Sequence, residues 1–159
     1  MNFQNTKYSS EAIYQLINNN QNPVLISFIS PNPPNNLITI PVWTYFYEDK
    51  FYSFTGKNSL KVKAIKKGMN NFSLIVVDKN SFPDVYRSSM PYISVSGQAK
   101  IVSYNDNNSI PEIHIKLLEK YAFKGQPAWM NNLIEKIQQD PQDTWLIEIT
   151  PEKHYEFNE

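Results

Sequence analysis

The stretch LITIPVWTYFYEDKFYSFTGKNSLKVKAIKKG, from Leu37 to Gly68, decides the fold. Apolar, aromatic and β-branched residues dominate positions 37–45, and this composition is typical of a strand rather than a helix. The polar run EDK at positions 48–50 predicts a turn, and the aromatic residues of positions 51–55 predict a second strand. The two strands should therefore form an antiparallel hairpin.

A short helix rich in lysine should follow the hairpin. Asn58 or Ser59 is a suitable N-cap, and apolar residues recur at helical spacing through positions 60–67. The five lysines of this segment are Lys57, Lys61, Lys63, Lys66 and Lys67. They can simply face water, as charged helix faces commonly do. The alternative is an anion site, because Lys57 and Lys61 add positive charge to a helix N-terminus, which already favours phosphate.

The remaining chain predicts further strands and helices around the hairpin. The predicted strands are 24–30, 72–78, 92–104 and 144–150, and the predicted helices are 11–18, a segment capped by Ser109, and 128–139. Between them lie a polar loop at 79–91, which contains Arg87, and a tail at 151–159. Gly97 should mark a bulge or a close backbone approach. Six strands joined mainly by hairpins predict an α+β fold that is mainly β, an antiparallel barrel with helices packed outside.

Composition limits the possible partners. The chain has 159 residues, 41% of them hydrophobic, which fits a single domain with a packed core. The formal net charge is +0, so no overall basic field would attract nucleic acid or an anionic membrane surface. No apolar run approaches membrane-spanning length and no secretory signal is visible, so we expect a cytoplasmic protein.

The sequence also excludes several kinds of catalytic site. Cysteine is absent, which excludes thiolate nucleophiles and cysteine-ligated metals. The two histidines, His114 and His154, lack metal-ligand spacing, so we expect no metal site. Hydrolase elbows, Walker loops and dinucleotide fingerprints are missing as well. If the chain is an enzyme, a bound cofactor should carry its chemistry, and we assign no catalytic residue.

The run IPVWTYFYEDKFYSFTGKNSLKVKAIKKG, followed by FSLIVVD and later by YISVSGQAKIV, resembles the pyridoxamine 5′-phosphate oxidase-like family. The resemblance extends from about Pro23 to about Pro151. It implies one domain over residues 1–159, a six-stranded antiparallel split β-barrel with peripheral helices that binds flavin mononucleotide (FMN). It further implies an FMN-dependent oxidoreductase, in which hydride passes between the flavin and a small conjugated substrate of unknown identity.

The resemblance also assigns positions around the cofactor. The strand positions beside the isoalloxazine ring are Pro41, Val42, Trp43 and Thr44. The positions near the pyrimidine and ribityl groups are Phe54 and Thr55, and those at the phosphate are Ser59, Lys61 and, as a supplement, Lys57. Tyr92, like Trp43, is expected either to pack near the ring or to serve as an ordinary core aromatic.

Two departures from the family pattern bear on function. Leu60 stands where the family commonly has arginine, which should weaken phosphate binding unless a lysine compensates. The sequence ends in EKHYEFNE, without the arginine–histidine segment by which vitamin B6 oxidases hold their substrate, so we expect a different substrate. A reductase that uses the deazaflavin cofactor F420 and a non-enzymatic barrel that binds flavin or haem are the alternatives. The charge balance argues mildly against F420, whose acidic tail favours a basic groove.

A homodimer with the flavin at the subunit interface is also expected. Barrels of this family usually bind flavin between two subunits. The hairpin carries more large aromatic side chains than one small barrel interior readily hides, which suggests a buried face between two copies. These aromatic residues are Trp43, Tyr45, Phe46, Tyr47, Phe51 and Tyr52.

Overall fold

The computed structural model describes residues 9–19, 24–77, 92–106, 108–121, 131, 132, 135, 139 and 145–157. In chain order the elements are α1 (Ser10–Asn18), β1 (Val24–Ile29), β2 (Leu37–Val42), β3 (Thr44–Tyr47), β4 (Lys50–Thr55), α2 (Leu60–Lys66), β5 (Asn71–Val77), β6 (Tyr92–Val102), α3 (Ile110–Tyr121) and β7 (Trp145–Phe157). The predicted loop with Arg87 and most of the predicted helix 128–139 lie outside the described residues. None of the described helices is long and apolar enough to cross a membrane.

The described strands form one antiparallel sheet in the order β2-β1-β5-β6-β7-β4-β3. β2 and β3 therefore lie at opposite edges, although only Trp43 separates them in the chain. In a flat sheet of this width the edge strands would stand about 29 Å apart, since neighbouring strands are about 4.8 Å apart. Two Cα–Cα steps reach at most about 7.6 Å. The sheet must therefore curl until its two edge strands approach each other at Trp43, which makes it an open, split barrel.

The prediction of one continuous strand over 37–45 was wrong for the same reason. Residues up to Val42 pair with β1, whereas residues from Thr44 onward pair with β4. At Trp43 the chain stops pairing with β1 and begins to pair with β4. The described sheet therefore has seven strands where the sequence predicted six. Composition cannot show such a change of partner, because both halves are equally suited to a strand.

A tight turn joins β3 to β4. Glu48 and Asp49 have φ angles of 47° and 59°, and Tyr47 pairs with Lys50 across them. Two central residues with positive φ match the right-handed twist of a hairpin. The predicted hairpin is thus confirmed for β3 and β4, although Lys50 belongs to the strand and not to the turn.

Side chains from two helices cover the outer edge of β3. The Asn18 amide of α1 donates from Nδ2 to the Phe46 carbonyl at 2.7 Å and accepts from the Phe46 N–H at 2.8 Å. On α3, the Tyr121 hydroxyl accepts from the Thr44 N–H at 3.2 Å and the Lys120 ammonium donates to the Thr44 carbonyl at 2.8 Å. An uncovered edge would offer these groups to another strand. The side chains therefore close the edge of β3.

The helices pack as their sequence patterns predict. Ser9 caps α1 by accepting from the Ala12 N–H at 3.2 Å, and the apolar side of α1 joins the core inside the barrel. α3 packs on the outer face of the sheet and forms a second core with the aromatic residues of β3 and β4. The apolar face of α3 is buried; it includes Ile113, Leu117, Leu118 and Tyr121.

The C-terminal segment is a strand well beyond its predicted end. β7 continues through residues predicted as a tail and pairs with β6 along most of its length. The register shifts between Ser96 and Gly97, which confirms the predicted bulge. A Cβ atom at Gly97 would overlap the carbonyl oxygen of Thr150, so a side chain has no room here.

We therefore expect Gly97→Ala to lower the free energy of unfolding by about 1–3 kcal/mol, the usual cost of forcing extra atoms into packed structure. The clash is with backbone atoms, which cannot move aside as a side chain can. Urea unfolding would measure the loss. Gly56→Ala is the control, since a Cβ at Gly56 meets nothing within 4 Å. Equal stabilities of the two variants would contradict the prediction.

Candidate functional site

The start of β3 and the end of β4 bring four of the predicted site residues together. The Phe54 N–H donates to the Trp43 carbonyl at 3.3 Å, and their ring centroids are 6.4 Å apart. The hydroxyls of Thr44 and Ser53 are 3.0 Å apart and buried inside the barrel. Thr55 follows on the same strand, so the predicted ring-side and ribityl-side positions are neighbours.

The remaining β2 positions continue this surface toward the sheet edge. Pro41 is exposed, whereas Val42 is buried in the core inside the barrel. They are the two residues before Trp43 in the chain. The structure thus brings Pro41 to the surface beside the crossover and makes Val42 a packing residue.

Tyr92 is not beside the other predicted site residues in the sheet. Its backbone pairs with Val77 and Phe157, at the opposite end of β6 from Val102. β1 and β5 lie between β2 and β6, so Tyr92 is no sheet neighbour of Pro41 either. Its side chain lies outside the described part of the chain.

Two hydroxyls connect the end of β4 to the start of α2. Thr55 Oγ1 and Ser59 Oγ are 2.7 Å apart, and Ser59 Oγ also accepts from the Val62 N–H at 3.3 Å. Ser59 is therefore the N-cap, one of the two predicted residues. This contact fixes where α2 begins relative to the barrel.

Lys61 in the first turn of α2 is buried, unlike the other four lysines of the segment. Its exposed fraction is 8%, whereas Lys57, Lys63, Lys66 and Lys67 are exposed. The interpretation that all five lysines face water is therefore wrong for Lys61. Lys67, for comparison, donates to the Pro31 carbonyl at 2.7 Å.

The Lys61 ammonium has no hydrogen-bond or ion-pair partner among the described residues. Burial alone lowers the pKa of Lys61, and no carboxylate opposes the shift. A buried cation without a partner is costly, so the position favours an anion at the ammonium. Because α2 has only seven residues, this inference rests on the lysine and not on the helix dipole.

No protein-family model and no curated protein matches the sequence. Several solved structures are nevertheless similar. A conserved hypothetical protein from Mycobacterium tuberculosis superposes with a TM-score of 0.69 at 13% identity, covering 99% of this chain and 89% of that one. A candidate pyridoxamine 5′-phosphate oxidase from Listeria innocua gives 0.60 at 13% identity, covering 94% and 98%. An F420 reductase gives 0.58 at 16% identity, covering 89% and 95%.

The chain has the fold of the pyridoxamine 5′-phosphate oxidase-like split barrels. This confirms the predicted fold class of an antiparallel split barrel with peripheral helices. At these identities the likeness concerns the fold alone. The similar structures therefore do not assign a role to any residue of this chain.

Two residues of α3 that the sequence analysis did not assign to the site lie against Trp43 and Thr44. The Tyr121 ring stacks on the Trp43 indole with centroids 5.1 Å apart and an interplanar angle of 2°. The Lys120 ammonium lies 4.5 Å from the Tyr121 ring centroid, and burial lowers the pKa of Lys120 to about 7. The sequence shows Tyr121 only as part of an apolar helix face. Nothing local indicates that α3 meets the edge of β3.

A third residue of α3 that the sequence analysis did not assign, His114, also lies beside the site. It is fully buried on α3, with Nδ1 3.0 Å from the Tyr104 hydroxyl and its ring 5.5 Å from that of Phe54. Within the described residues, its Nε2 has no hydrogen-bond partner. Burial lowers the pKa of His114 to about 4. The described residues also contain no group of three or more potential metal ligands.

The buried imidazole makes stability depend on pH. Between the ordinary histidine pKa of 6.5 and about 4, the unfolded chain binds a proton at His114 that the folded chain does not. The contribution of neutral His114 to the free energy of unfolding is therefore fully present above pH 6.5. It is lost as the pH drops through this window, by up to about 3 kcal/mol. Urea unfolding over the window should show a flatter pH profile for His114→Gln than for the wild type. An unchanged slope in His114→Gln would refute the assignment.

Proposed function

We propose that this split barrel binds FMN, with Lys61 at the phosphate, and acts as an FMN-dependent oxidoreductase. The observation that carries the proposal is the buried Lys61 ammonium, which has no partner within the described residues. Desolvating a cation costs several kcal/mol unless an opposite charge compensates. A phosphate group would supply that charge.

The surroundings of Lys61 suit a phosphate ester. The hydroxyls of Thr55 and Ser59 lie at the junction from which α2 begins, and either can donate to a phosphate oxygen. Leu60, where the family commonly has arginine, is 40% exposed and adds no donor. Lys61 would therefore bind the phosphate as a point charge rather than as a bidentate fork.

The rest of the cofactor would extend from this junction toward Trp43. Thr55 connects the phosphate position through β4 to Phe54, whose N–H bonds the Trp43 carbonyl. A bound flavin supplies hydride transfer, and these residues would hold it in place. The F420 reductase and the candidate pyridoxamine 5′-phosphate oxidase among the similar structures support a flavin-type cofactor.

The hairpin aromatics do not need a second copy to be buried, because Tyr45, Phe46, Phe51 and Tyr52 are each at most 5% exposed within one chain. We propose instead that two copies associate through the outer face of β1 and β2. Leu37 is 67% exposed, and its cross-strand neighbour Ile29 is 41% exposed. Leu25, at 37%, lies opposite exposed Pro41 on the same face. This surface runs from the β1–β2 turn to the crossover at Trp43; it is apolar at both ends, and the hydrogen-bonded hydroxyls of Ser27 and Thr39 lie between them. A partner seated on it would reach the proposed cofactor position.

The phosphate assignment predicts the behaviour of Lys61→Met. The wild type should bind FMN roughly ten- to a hundredfold more tightly than riboflavin, which lacks the phosphate, as expected for a charged hydrogen bond. Lys61→Met should lose that preference. Without ligand the variant should unfold at no lower a temperature than the wild type, since it removes a buried charge. Flavin fluorescence titration and thermal unfolding would measure the two effects.

Lys63→Met is the matched control, because Lys63 is exposed on the same helix and should leave FMN binding unchanged. A wild type that binds FMN and riboflavin equally would refute the phosphate assignment. The same titration with F420 and with haem tests the alternatives. If F420 or haem binds more tightly than FMN, the assignment of FMN as the cofactor is wrong and the tighter ligand takes its place.

The proposed dimer predicts that the double variant Ile29→Glu/Leu37→Glu is monomeric in light scattering, whereas the wild type has the mass of two chains. Two carboxylates facing each other across strands would leave the apolar interface charged. Leu60→Glu is the control, since Leu60 is an exposed leucine outside this face. A monomeric wild type would contradict the proposal.

A further inference from the structure

We propose that Lys120, with the stacked rings of Trp43 and Tyr121, forms a binding site for the carboxylate of a planar, conjugated substrate. We call these three residues the α3 lysine site. The inference rests on the proposed function and narrows its substrate to a class, the aromatic or conjugated carboxylic acids.

The charge of Lys120 is not neutralised within the described residues. Its ammonium donates to the neutral carbonyl of Thr44 at 2.8 Å, and no described carboxylate contacts it. The acidic residue Glu112 of the same helix bonds instead to Lys116, at 2.7 Å. The lowered pKa of Lys120 is caused by burial alone, which agrees with the missing counter-ion. A substrate carboxylate would provide that counter-ion.

Closing the edge of β3 does not by itself require a cation. Asn18 bonds both backbone groups of Phe46 with an uncharged amide. At Thr44 the Tyr121 hydroxyl already accepts from the N–H and lies 3.4 Å from the carbonyl oxygen. A neutral donor in place of Lys120 could make the same hydrogen bond to the Thr44 carbonyl. The positive charge is therefore in excess of what the fold requires.

The aromatic part of the site suits a flat molecule. One face of the Trp43 indole stacks on Tyr121, and the Trp43 side chain is only half-buried. Aromatic surface beside a few well-placed polar groups is typical of small-molecule sites. The neighbouring ammonium would fix which end of the molecule lies at α3.

The position also fits the proposed cofactor. Trp43 is the crossover residue, and the flavin ring is expected beside this stretch of strand. Lys61 on α2 and Lys120 on α3 are thus two desolvated cations on separate helices, and neither contacts a carboxylate within the described part of the chain. The cofactor phosphate would neutralise Lys61, which leaves Lys120 for the substrate.

The test compares trans-cinnamate with its neutral amide, cinnamamide, by isothermal titration calorimetry. Both are planar and conjugated, and only cinnamate carries a charge. The wild type should bind cinnamate roughly ten- to a hundredfold more tightly than cinnamamide, as expected for a charged hydrogen bond. Lys120→Gln keeps a donor for Thr44 and should abolish the preference. Lys120→Arg keeps the charge and should retain it.

Lys116→Met is the control on the same helix and should behave as the wild type, because Lys116 forms an ion pair with Glu112 on the helix surface. Lys120→Gln should unfold at no lower a temperature than the wild type, since the edge bond is preserved and a desolvated charge is removed. A wild type that binds both compounds equally, or a preference that survives in Lys120→Gln, would overturn the inference and leave Lys120 as an edge residue only.

The same variants separate this inference from the proposed cofactor. Lys120→Gln should bind FMN as the wild type does, whereas Lys61→Met should not. A cinnamate preference that depends on Lys120 in a protein that does not bind FMN would refute the proposed function and retain the carboxylate site. If the protein binds FMN normally but its preference for cinnamate over cinnamamide does not depend on Lys120, the cofactor assignment stands and the carboxylate site is refuted.

Discussion

The rest of the structure depends on the single residue that joins β2 to β3. Because Trp43 alone connects the two edge strands, the sheet cannot lie flat, and its curvature follows from chain length. The same constraint places Trp43 at a corner, where its indole meets α3 and its carbonyl meets β4. The closure of the barrel and the candidate site therefore share one residue. We expect changes at Trp43 to affect both.

Because the sheet stays open between β2 and β3, the outer edge of β3 has no strand partner among the described residues, and helix side chains cover it instead. Asn18 of α1 and the pair Lys120 and Tyr121 of α3 bond the backbone groups that would otherwise face another strand. This requirement brings α3 against the crossover. A polar and aromatic cluster thus assembles beside Trp43 as a consequence of covering an edge.

Burial opposes charge at three titratable groups around this region. The pKa values of Lys61, Lys120 and His114 all lie below their usual range because each side chain is desolvated. His114 packs among aromatic rings as a neutral imidazole, so it carries no charge that needs a partner. The two lysines instead carry a cost that a bound anion would remove. Such a local loss of stability is typical of binding sites, and it explains why Lys61→Met is expected to impair binding without lowering stability.

The sequence by itself determined much of the local structure: the capped start of α2 at Asn58 or Ser59, the three described helices, the β3–β4 hairpin and the bulge or close approach at Gly97. These features depend on residues close together in the chain, whose spacing and turn chemistry can be recognised directly. The tertiary structure alone decided that the strand breaks at Trp43, that β7 continues past Thr150, and that one lysine of α2 is buried. It also decided that Lys120 meets Thr44. Each of these outcomes depends on which distant segment packs alongside, and a strand or helix pattern specifies the shape of an element but not its partner.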